Sequence, residues 1–307
     1  MRLTAQVPAV RPPSVAGSFY PAGPAELDRL VDACLAEAAR FDMTEPTGRT
    51  TTTGDPPGGV IAGLLVPHAG LVYSGAVAAA AWRRVAADPP ASIVLLGTNH
   101  RAGWLEGIGA WEAGAWSTPL GSIPVDEALA AAVVRLGPPF AVDRAAHLGE
   151  HSIEVQLPFV RRLAADARVV PLAVSAGTGR GAVEAGRRLG ALLAERRAAG
   201  DRIVLAISSD AAHYPPAWLG ESVNERLAPA LEAVDAARVS ATEAEIVGEG
   251  GPGLVCGMCG IEPTVLGLAA LRAMGVLRGR VVAAATSADV GAGRDRTVGY
   301  LGATFAV

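Results

Sequence analysis

The sequence predicts an α/β protein, a single three-layer α/β/α domain spanning residues 1–307 with a mostly parallel central sheet. Two observations predict it. Short apolar runs bounded by Gly, Pro and polar residues, such as Gly63-Leu64-Leu65-Val66, Ile93-Val94-Leu95-Leu96 and Ile203-Val204-Leu205-Ala206-Ile207, read as buried parallel strands. These alternate with longer stretches whose apolar residues recur at helical spacing, and no linker is rich enough to divide the chain.

In chain order, Pro24 to Ala39 is helical, with Leu27, Leu30, Val31, Cys34, Leu35 and Ala38 on one face. Pro24 and Glu26 suit its N-terminus. Arg49 to Gly59 is a Thr, Gly and Pro loop. Val60 to Val66 is the first central strand, Ala76 to Ala87 a helix and Ser92 to Leu96 the second strand. Residues 104 to 124 carry Trp104, Trp111 and Trp116 among glycines and read as short strands or loops. Asp126 to Leu136 is helical, as is His151 to Ala165, interrupted or started near Pro158. Arg168 to Val174 is a strand and Gly181 to Arg197 an amphipathic helix with an Arg-rich face. The strand Arg202 to Ile207 is followed by a helix from about Glu221 to Val239 and another over Ile261 to Met274. Val281 to Ser287 and Val298 to Phe305 close the sheet.

Composition narrows the function. The formal net charge is −4 and 18% of residues are charged, so there is no basic footprint for nucleic acid. All 26 basic residues are arginine, which excludes a Schiff-base lysine and a P-loop lysine. No uncharged apolar stretch is long enough to span a membrane, and the N-terminus lacks the apolar core of a signal peptide. Three cysteines suit a reducing cytoplasm better than a disulfide scaffold.

The five histidines fall in a few polar segments, three of which directly follow apolar runs: Pro67-His68-Ala69-Gly70, Gly97-Thr98-Asn99-His100 and Ser208-Ser209-Asp210-Ala211-Ala212-His213-Tyr214. Open α/β sheets bind ligands at the carboxyl ends of their strands, and histidine is both the commonest metal ligand and the near-neutral proton carrier. One strand-end histidine is more often a simple hydrogen-bonding cap. Two of them, together with Asp210 and His213, favour a metal or acid/base site. If their strands are neighbours, His68 and His100 converge. Asp210 and His213 read equally well as an acid/base pair or additional metal contact and as a pair that orients a ligating histidine. His151 reaches the cleft or bonds backbone at a helix entry, Ser152 is a candidate cap, and Glu154 faces a partner. His147 reads as a surface residue. Tyr73 lines the cleft mouth, donates a proton or packs in the core. Arg101 is placed to receive an anion. In Cys256-Gly257-Met258-Cys259 a thiol near a helix N-terminus ligates metal readily, but no second Cys pair completes a structural zinc site. Cys34 is buried filler.

Several segments together resemble the Memo family, whose bacterial and archaeal members are often called the B protein of the Ammecr–Memo–radical-SAM system. They are Val15-Ala16-Gly17-Ser18-Phe19-Tyr20-Pro21, Pro67-His68-Ala69-Gly70 with Tyr73-Ser74-Gly75, and Thr98-Asn99-His100. To these add Glu150-His151-Ser152-Ile153-Glu154-Val155-Gln156-Leu157-Pro158-Phe159, Ser208-Ser209-Asp210 with His213-Tyr214, and Cys256-Gly257 before Ile261. The resemblance implies a fold similar to class III extradiol dioxygenases and a metal pocket of two histidines and a cysteine. Carried over, these are His68, His100 and Cys256, with Asp210 and His213 lining the pocket. Since alternate residues of a short turn point in different directions, Cys256 rather than Cys259 is expected to be the sulfur ligand, and His213, Asp210 and Tyr73 are the catalytic candidates. Cys259 and Gly260 depart from the family pattern, which often has a proline before the isoleucine, and Asn99 departs before the histidine.

The functional expectation is a divalent metal, iron(II) first with copper or zinc as alternatives, serving a dioxygenase-like oxidoreductase acting on a small molecule. A thiolate in place of the carboxylate of the dioxygenases argues against ordinary ring cleavage. A metal-handling or peptide-binding protein without turnover and a zinc-dependent hydrolase are the alternatives. The resemblance also implies Ammecr-domain and radical-SAM proteins as partners, with neither nucleic acid nor membrane.

Overall fold

A computed structural model describes residues 9–43 and 59–307. The loop expected over Arg49–Gly59 lies, except for Gly59, outside the described residues. The first half holds β1 (Val10–Arg11), α1 (Pro24–Glu37), α2 (Arg40–Met43), β2 (Ile61–Val66), α3 (Leu71–Trp82) and β3 (Ser92–Thr98). Then come β4 (Ile108–Ala110), β5 (Ala115–Thr118), β6 (Gly121–Pro124), α4 (Glu127–Arg135), β7 (Phe140–Val142), α5 (Leu157–Leu163) and β8 (Arg168–Val174). The remainder is α6 (Ala182–Ala198), β9 (Ile203–Ser208), α7 (Ala217–Glu232), α8 (Ala236–Glu249), α9 (Ile261–Ala273), β10 (Gly279–Thr286) and β11 (Gly299–Ala306).

The large sheet has the order β10-β11-β2-β9-β3-β8-β4-β7. Its centre is parallel: β2 pairs with β9, β9 with β3 and β3 with β8. Around that centre the sheet is mixed. β11 runs antiparallel to β2, β10 to β11, and β4 to β8. The predicted parallel sheet is therefore the middle of a broader mixed one. β1, β5 and β6 form a separate small sheet out of the tryptophan-rich stretch.

Helices cover both faces. A side chain at Gly63 of β2 would meet Leu271 of α9, and one at Gly302 of β11 would meet the Val77 carbonyl of α3. Gly302 stands beside Val66 in the β11–β2 register, and positions 63 and 66 alternate to opposite faces. So α9, with α6 packed on it, covers one face, and α3, with α1 packed on it, covers the other. The four inner strands are buried almost throughout, because helices on both faces leave no polar side.

Three expectations need adjustment. Helix α3 begins at Leu71, not Ala76, because its first turn is packed down: Leu71 is buried, and a side chain at Gly75 would collide with Cys34 of α1. That contact buries Cys34 as the helical spacing predicted. The helix expected over Glu221–Val239 is two. The chain breaks at Val234, whose φ is 51°, and Asp235 caps α8 by accepting from the Arg238 N–H at 3.0 Å. The stretch from His151 begins as a single 3-10 turn, Glu154–Gln156, with α5 starting at Leu157 and Pro158 in its first turn.

Candidate metal centre

Three strand ends carry the site. β2 ends at Val66 before Pro67-His68, β9 at Ser208 before Ser209-Asp210, and β3 at Thr98 before Asn99-His100. β2 and β3 are not neighbours, since β9 lies between them. The rings of His68 and His100 meet nonetheless, 5.2 Å apart between centroids. His151 joins from the segment before α5, 5.3 Å from His68 and stacked on His100 at 4.7 Å.

Hydrogen bonds fix how each ring is turned. His68 Nδ1 lies 3.0 Å from Ser208 Oγ. The single hydroxyl proton of Ser208 goes to the Ser152 carbonyl at 2.6 Å, so Ser208 accepts from His68. His68 Nε2 is then a bare lone pair, and it faces Cys259 Sγ at 3.2 Å. Glu150 does the same for two rings: its Oε1 accepts from His100 Nδ1 at 3.0 Å and lies 3.2 Å from His151 Nδ1. Burial alone would raise the Glu150 carboxyl, but hydrogen bonds from His100 and His151 hold it far below the usual carboxylate range. A carboxylate that only accepts takes the Nδ1–H of each ring, which makes Nε2 the free nitrogen in the neutral tautomer of either. A carboxylate behind a histidine is the arrangement by which metal sites orient a ligand and raise its basicity.

The remaining groups are buried and neutral or paired. Burial pushes His68 down to about 3, so its ring is uncharged at neutral pH. Asp210 Oδ1 accepts the N–H groups of His68 at 2.7 Å and Ala69 at 3.2 Å. Burial raises Asp210, yet His68 and His213 beside it bring it down to about 2. Burial, followed by the charge of Asp210, keeps the Cys259 thiol well above its ordinary value, so the sulfur stays protonated until something displaces the proton. Donor atoms of His68, His100 and Cys259 all lie within 4.8 Å of one another, and so do those of Asp210, His213 and Cys259.

These positions can be compared with the residues named from the sequence. His68 and His100 come together as expected. Asp210 and His213 lie beside them, 3.8 Å apart between Oδ2 and Nε2. The sulfur is the correction: among the described residues Cys259, not Cys256, groups with the two histidines. Cys256 is held by its backbone, where its carbonyl accepts the His213 N–H at 3.1 Å. Cys259 is strapped to the end of β9, with its N–H on the Asp210 carbonyl at 3.3 Å and the next N–H, of Gly260, on Ser209 Oγ at 2.8 Å. Gly260 makes that approach feasible, since a side chain there would lie 2.6 Å from Ser209 Cβ and Thr98 Oγ1.

Tyr73 lies in the first turn of α3, 45% exposed, and its hydroxyl has no hydrogen-bond partner among the described residues. His147 is not a surface residue. It is fully buried between Trp111 and Trp116, and its Nε2–H donates to the Gly109 carbonyl at 2.9 Å. Glu154 turns inward to Arg11, Nη1 to Oε2 2.6 Å, and accepts the Tyr20 hydroxyl at 2.6 Å, tying the N-terminal segment under the site. Ser152 does not cap; its hydroxyl donates to the Thr98 carbonyl at 2.8 Å. The roles of Glu150 and Ser208 were not read from the sequence. A carboxylate directly before His151 was the one available signal.

The donor set fits a transition metal. Two imidazoles and a thiol suit zinc, iron or copper and not the oxygen-seeking magnesium or calcium. His213 Nε2 is shielded from solvent and has no hydrogen-bond partner among the described residues, with the Asp210 carboxylate 3.8 Å away. His100 is 28% exposed at its side chain, so the centre has an open side.

The family model described as Memo-like protein matches residues 11–304. A MEMO1 family protein of Methanopyrus kandleri is 34% identical over 96% of this chain and 98% of its own. One of Aquifex aeolicus is 33% identical over 96% of this chain and 99% of its own. In structure the chain is similar to an uncharacterized protein of Escherichia coli K12, with a TM-score of 0.50, 19% identity, and coverage of 78% of this chain and 99% of that one. That likeness concerns the fold, a large central sheet flanked by helices. With the family model spanning almost its whole length and relatives above 30% identity end to end, the chain belongs to the Memo-like family.

Proposed function

We propose that the chain binds a redox-active divalent metal, iron or copper, through His68 Nε2, His100 Nε2 and Cys259 Sγ and acts as an oxidoreductase on a small molecule. One observation carries the reading. Ser208 and Glu150 turn the His68 and His100 rings from behind, and His68 Nε2 faces the Cys259 thiol, the way outer groups orient histidines for a metal. A soft thiolate beside two imidazoles favours iron or copper over a plain Lewis acid. The bound ion would supply one-electron chemistry that no side chain of this pocket can supply. Glu150 keeps the two rings His100 and His151 turned, Asp210 fixes the His68 backbone, and His213 offers an unpaired nitrogen to whatever enters. Cys259 must lose its proton on binding, so affinity should rise with pH. Among the described residues no helix is long and apolar enough to cross a membrane, and all three cysteines are free. Free cysteines suit a reducing compartment.

The partial exposure of His100 favours a second reading, in which the protein handles metal without turnover. A cavity of about 600 Å³ among the described residues does not help the enzyme reading. It opens at the opposite end of the sheet, lined by Ser92, Asp126, Arg168 and Arg202, and no histidine or cysteine lines it.

The test is metal titration of anaerobically purified protein with elemental analysis. Cys259→Ser should weaken binding at least tenfold, about 1.4 kcal/mol, and Cys256→Ser should leave it within about twofold. The reverse ranking would return the sulfur to Cys256, as the family resemblance implied. Adding oxygen to the iron(II)-loaded protein, with and without catechol, then separates the functions. Metal-dependent oxidation of an added small molecule supports the oxidoreductase. Stoichiometric ring opening would make it an ordinary ring-cleaving enzyme, and metal oxidation without product would leave the metal-handling protein.

A further inference from the structure

Tyr214 has a φ of 71°, in the left-handed region that a bulky side chain adopts only under constraint. The constraint is visible. Its N–H donates to the Thr297 carbonyl at 2.7 Å, and the Thr297 N–H returns to the Pro215 carbonyl at 2.8 Å. A glycine would adopt this backbone without strain, yet a tyrosine stands there, 39% exposed. Strain of this kind is kept where a side chain is needed in a fixed place.

The ring meets two neighbours. On one side lies the His213 ring, 5.4 Å between centroids. Over it lies the guanidinium of Arg296, with Cζ 4.0 Å from the ring centroid. Arg296 makes no ion pair among the described residues, whereas Arg294, two positions earlier, reaches Glu221 at 3.5 Å. Arg296 is also on the correct end of the sheet. The Gly299 N–H bonds the Ala212 carbonyl and the Ala211 N–H bonds the Gly299 carbonyl, each at 2.8 Å, so the chain before β11 runs beside the segment after β9. A guanidinium lying flat on an aromatic ring still has its in-plane N–H groups, and these match the two oxygens of an oxyanion. His213, next in the row, carries the buried and unpartnered Nε2 described above.

We propose that Arg296, seated on the strained Tyr214, is the specificity residue of this site and selects a small ligand carrying an oxyanion, a carboxylate or a phosphate monoester, whose remaining polar atoms reach His213 and the metal centre. The proposal rests on the oxidoreductase reading for where the rest of the ligand lies, but not for the anion contact itself. Arg101, which follows His100, is the competing cation.

The test compares 3,4-dihydroxybenzoate, 3,4-dihydroxybenzamide and phenyl phosphate by calorimetry at about 0.15 M salt, on iron(II)-loaded and on metal-free full-length protein. The acid should bind about tenfold tighter than the amide, and Arg296→Gln should abolish that ratio while leaving amide affinity unchanged. Phenyl phosphate binding tighter than the acid, again through Arg296, would name phosphate as the anion. Tyr214→Gly, which relieves the backbone, should keep or raise the melting temperature and still lose the ratio, a pattern that a merely structural tyrosine would not give. The acid-to-amide ratio should persist without metal. If each ligand's own affinity is the same with and without metal while the acid-to-amide ratio persists, the metal reading fails and this one stands. Equal affinity of acid and amide for the unmodified protein, or loss of the ratio in Arg101→Gln rather than Arg296→Gln, overturns the proposal.

Discussion

One hydroxyl decides which nitrogen of His68 is available, and one carboxylate decides it for His100 and His151. The histidines themselves were legible in the sequence, because an imidazole directly after a buried strand has few places to go. Glu150 and Ser208 were not, since nothing in one chain shows which polar neighbour turns inward. The choice between Cys256 and Cys259 depends on which of two residues in one turn is strapped to β9, a long-range backbone contact with no local signal. His147 shows the same limit, for its burial follows from the small sheet that carries Trp116. It also permits a prediction. The ordinary value for histidine is 6.5, and burial takes His147 down to about 4. Between those values the unfolded chain holds more protons than the folded one, so stability is full above about pH 6.5 and falls as the pH drops toward 4. At 1.36 kcal/mol per unit the loss from this residue reaches about 3 kcal/mol at pH 4. Urea unfolding of the parent chain and of His147→Phe across that range should give a steeper acid loss for the parent. Parallel curves would mean that His147 is protonated in the folded state or reaches water.

At the scale of elements, the inner strands were read nearly to the residue, and α6 and α9 within one or two positions, because period and burial agree there. The break between α7 and α8 was missed, since Asp235 is one acid among many until Val234 is seen at positive φ. How α6 and α9 pack was not visible at all. A Cβ at Gly186 or Gly190 of α6 would collide with the carbonyl oxygens of Leu266 and Ala270 in α9, so the two glycines let the helix backbones touch. Helix propensity favours alanine over glycine by about 1 kcal/mol. Overpacking a rigid contact costs about 1–3 kcal/mol, and here the obstacle is backbone that cannot rotate away. The clash should therefore win. Gly190→Ala should lower stability by up to about 2 kcal/mol net, measured by denaturant unfolding, while Gly248→Ala in α8, where a side chain meets nothing, should not. A stabilised Gly190→Ala would show that α6 can slide on α9 without loss.

Across the whole molecule, the donors of the proposed metal site come from far-apart stretches of chain. His68 follows β2, His100 follows β3, His151 precedes α5, Asp210 and His213 follow β9, and Cys259 precedes α9. No unfolded segment can gather them, so an ion at the proposed site would bind the folded state almost alone. Linkage then makes its affinity part of global stability, by about 2.7 kcal/mol at a metal concentration one hundred times the dissociation constant. Adding iron(II) without oxygen should therefore raise the melting temperature in proportion to the logarithm of its concentration, and a chelator should reverse the rise. His68→Ala should remove the response. Its metal-free stability should change less than that of a variant of the buried Arg11–Glu154 pair, where one charge would be left unpaired. Glu150→Gln is the sharper probe. The amide can still meet one imidazole N–H but has lost the negative charge that both rings share. An outer partner of this kind is worth about 10–100-fold in affinity, so the melting curve of this variant should shift to about 10–100-fold higher metal with the same limiting slope. A response unchanged in Glu150→Gln would mean that the ion sits away from His100, and a response unchanged in His68→Ala that it is not at this site.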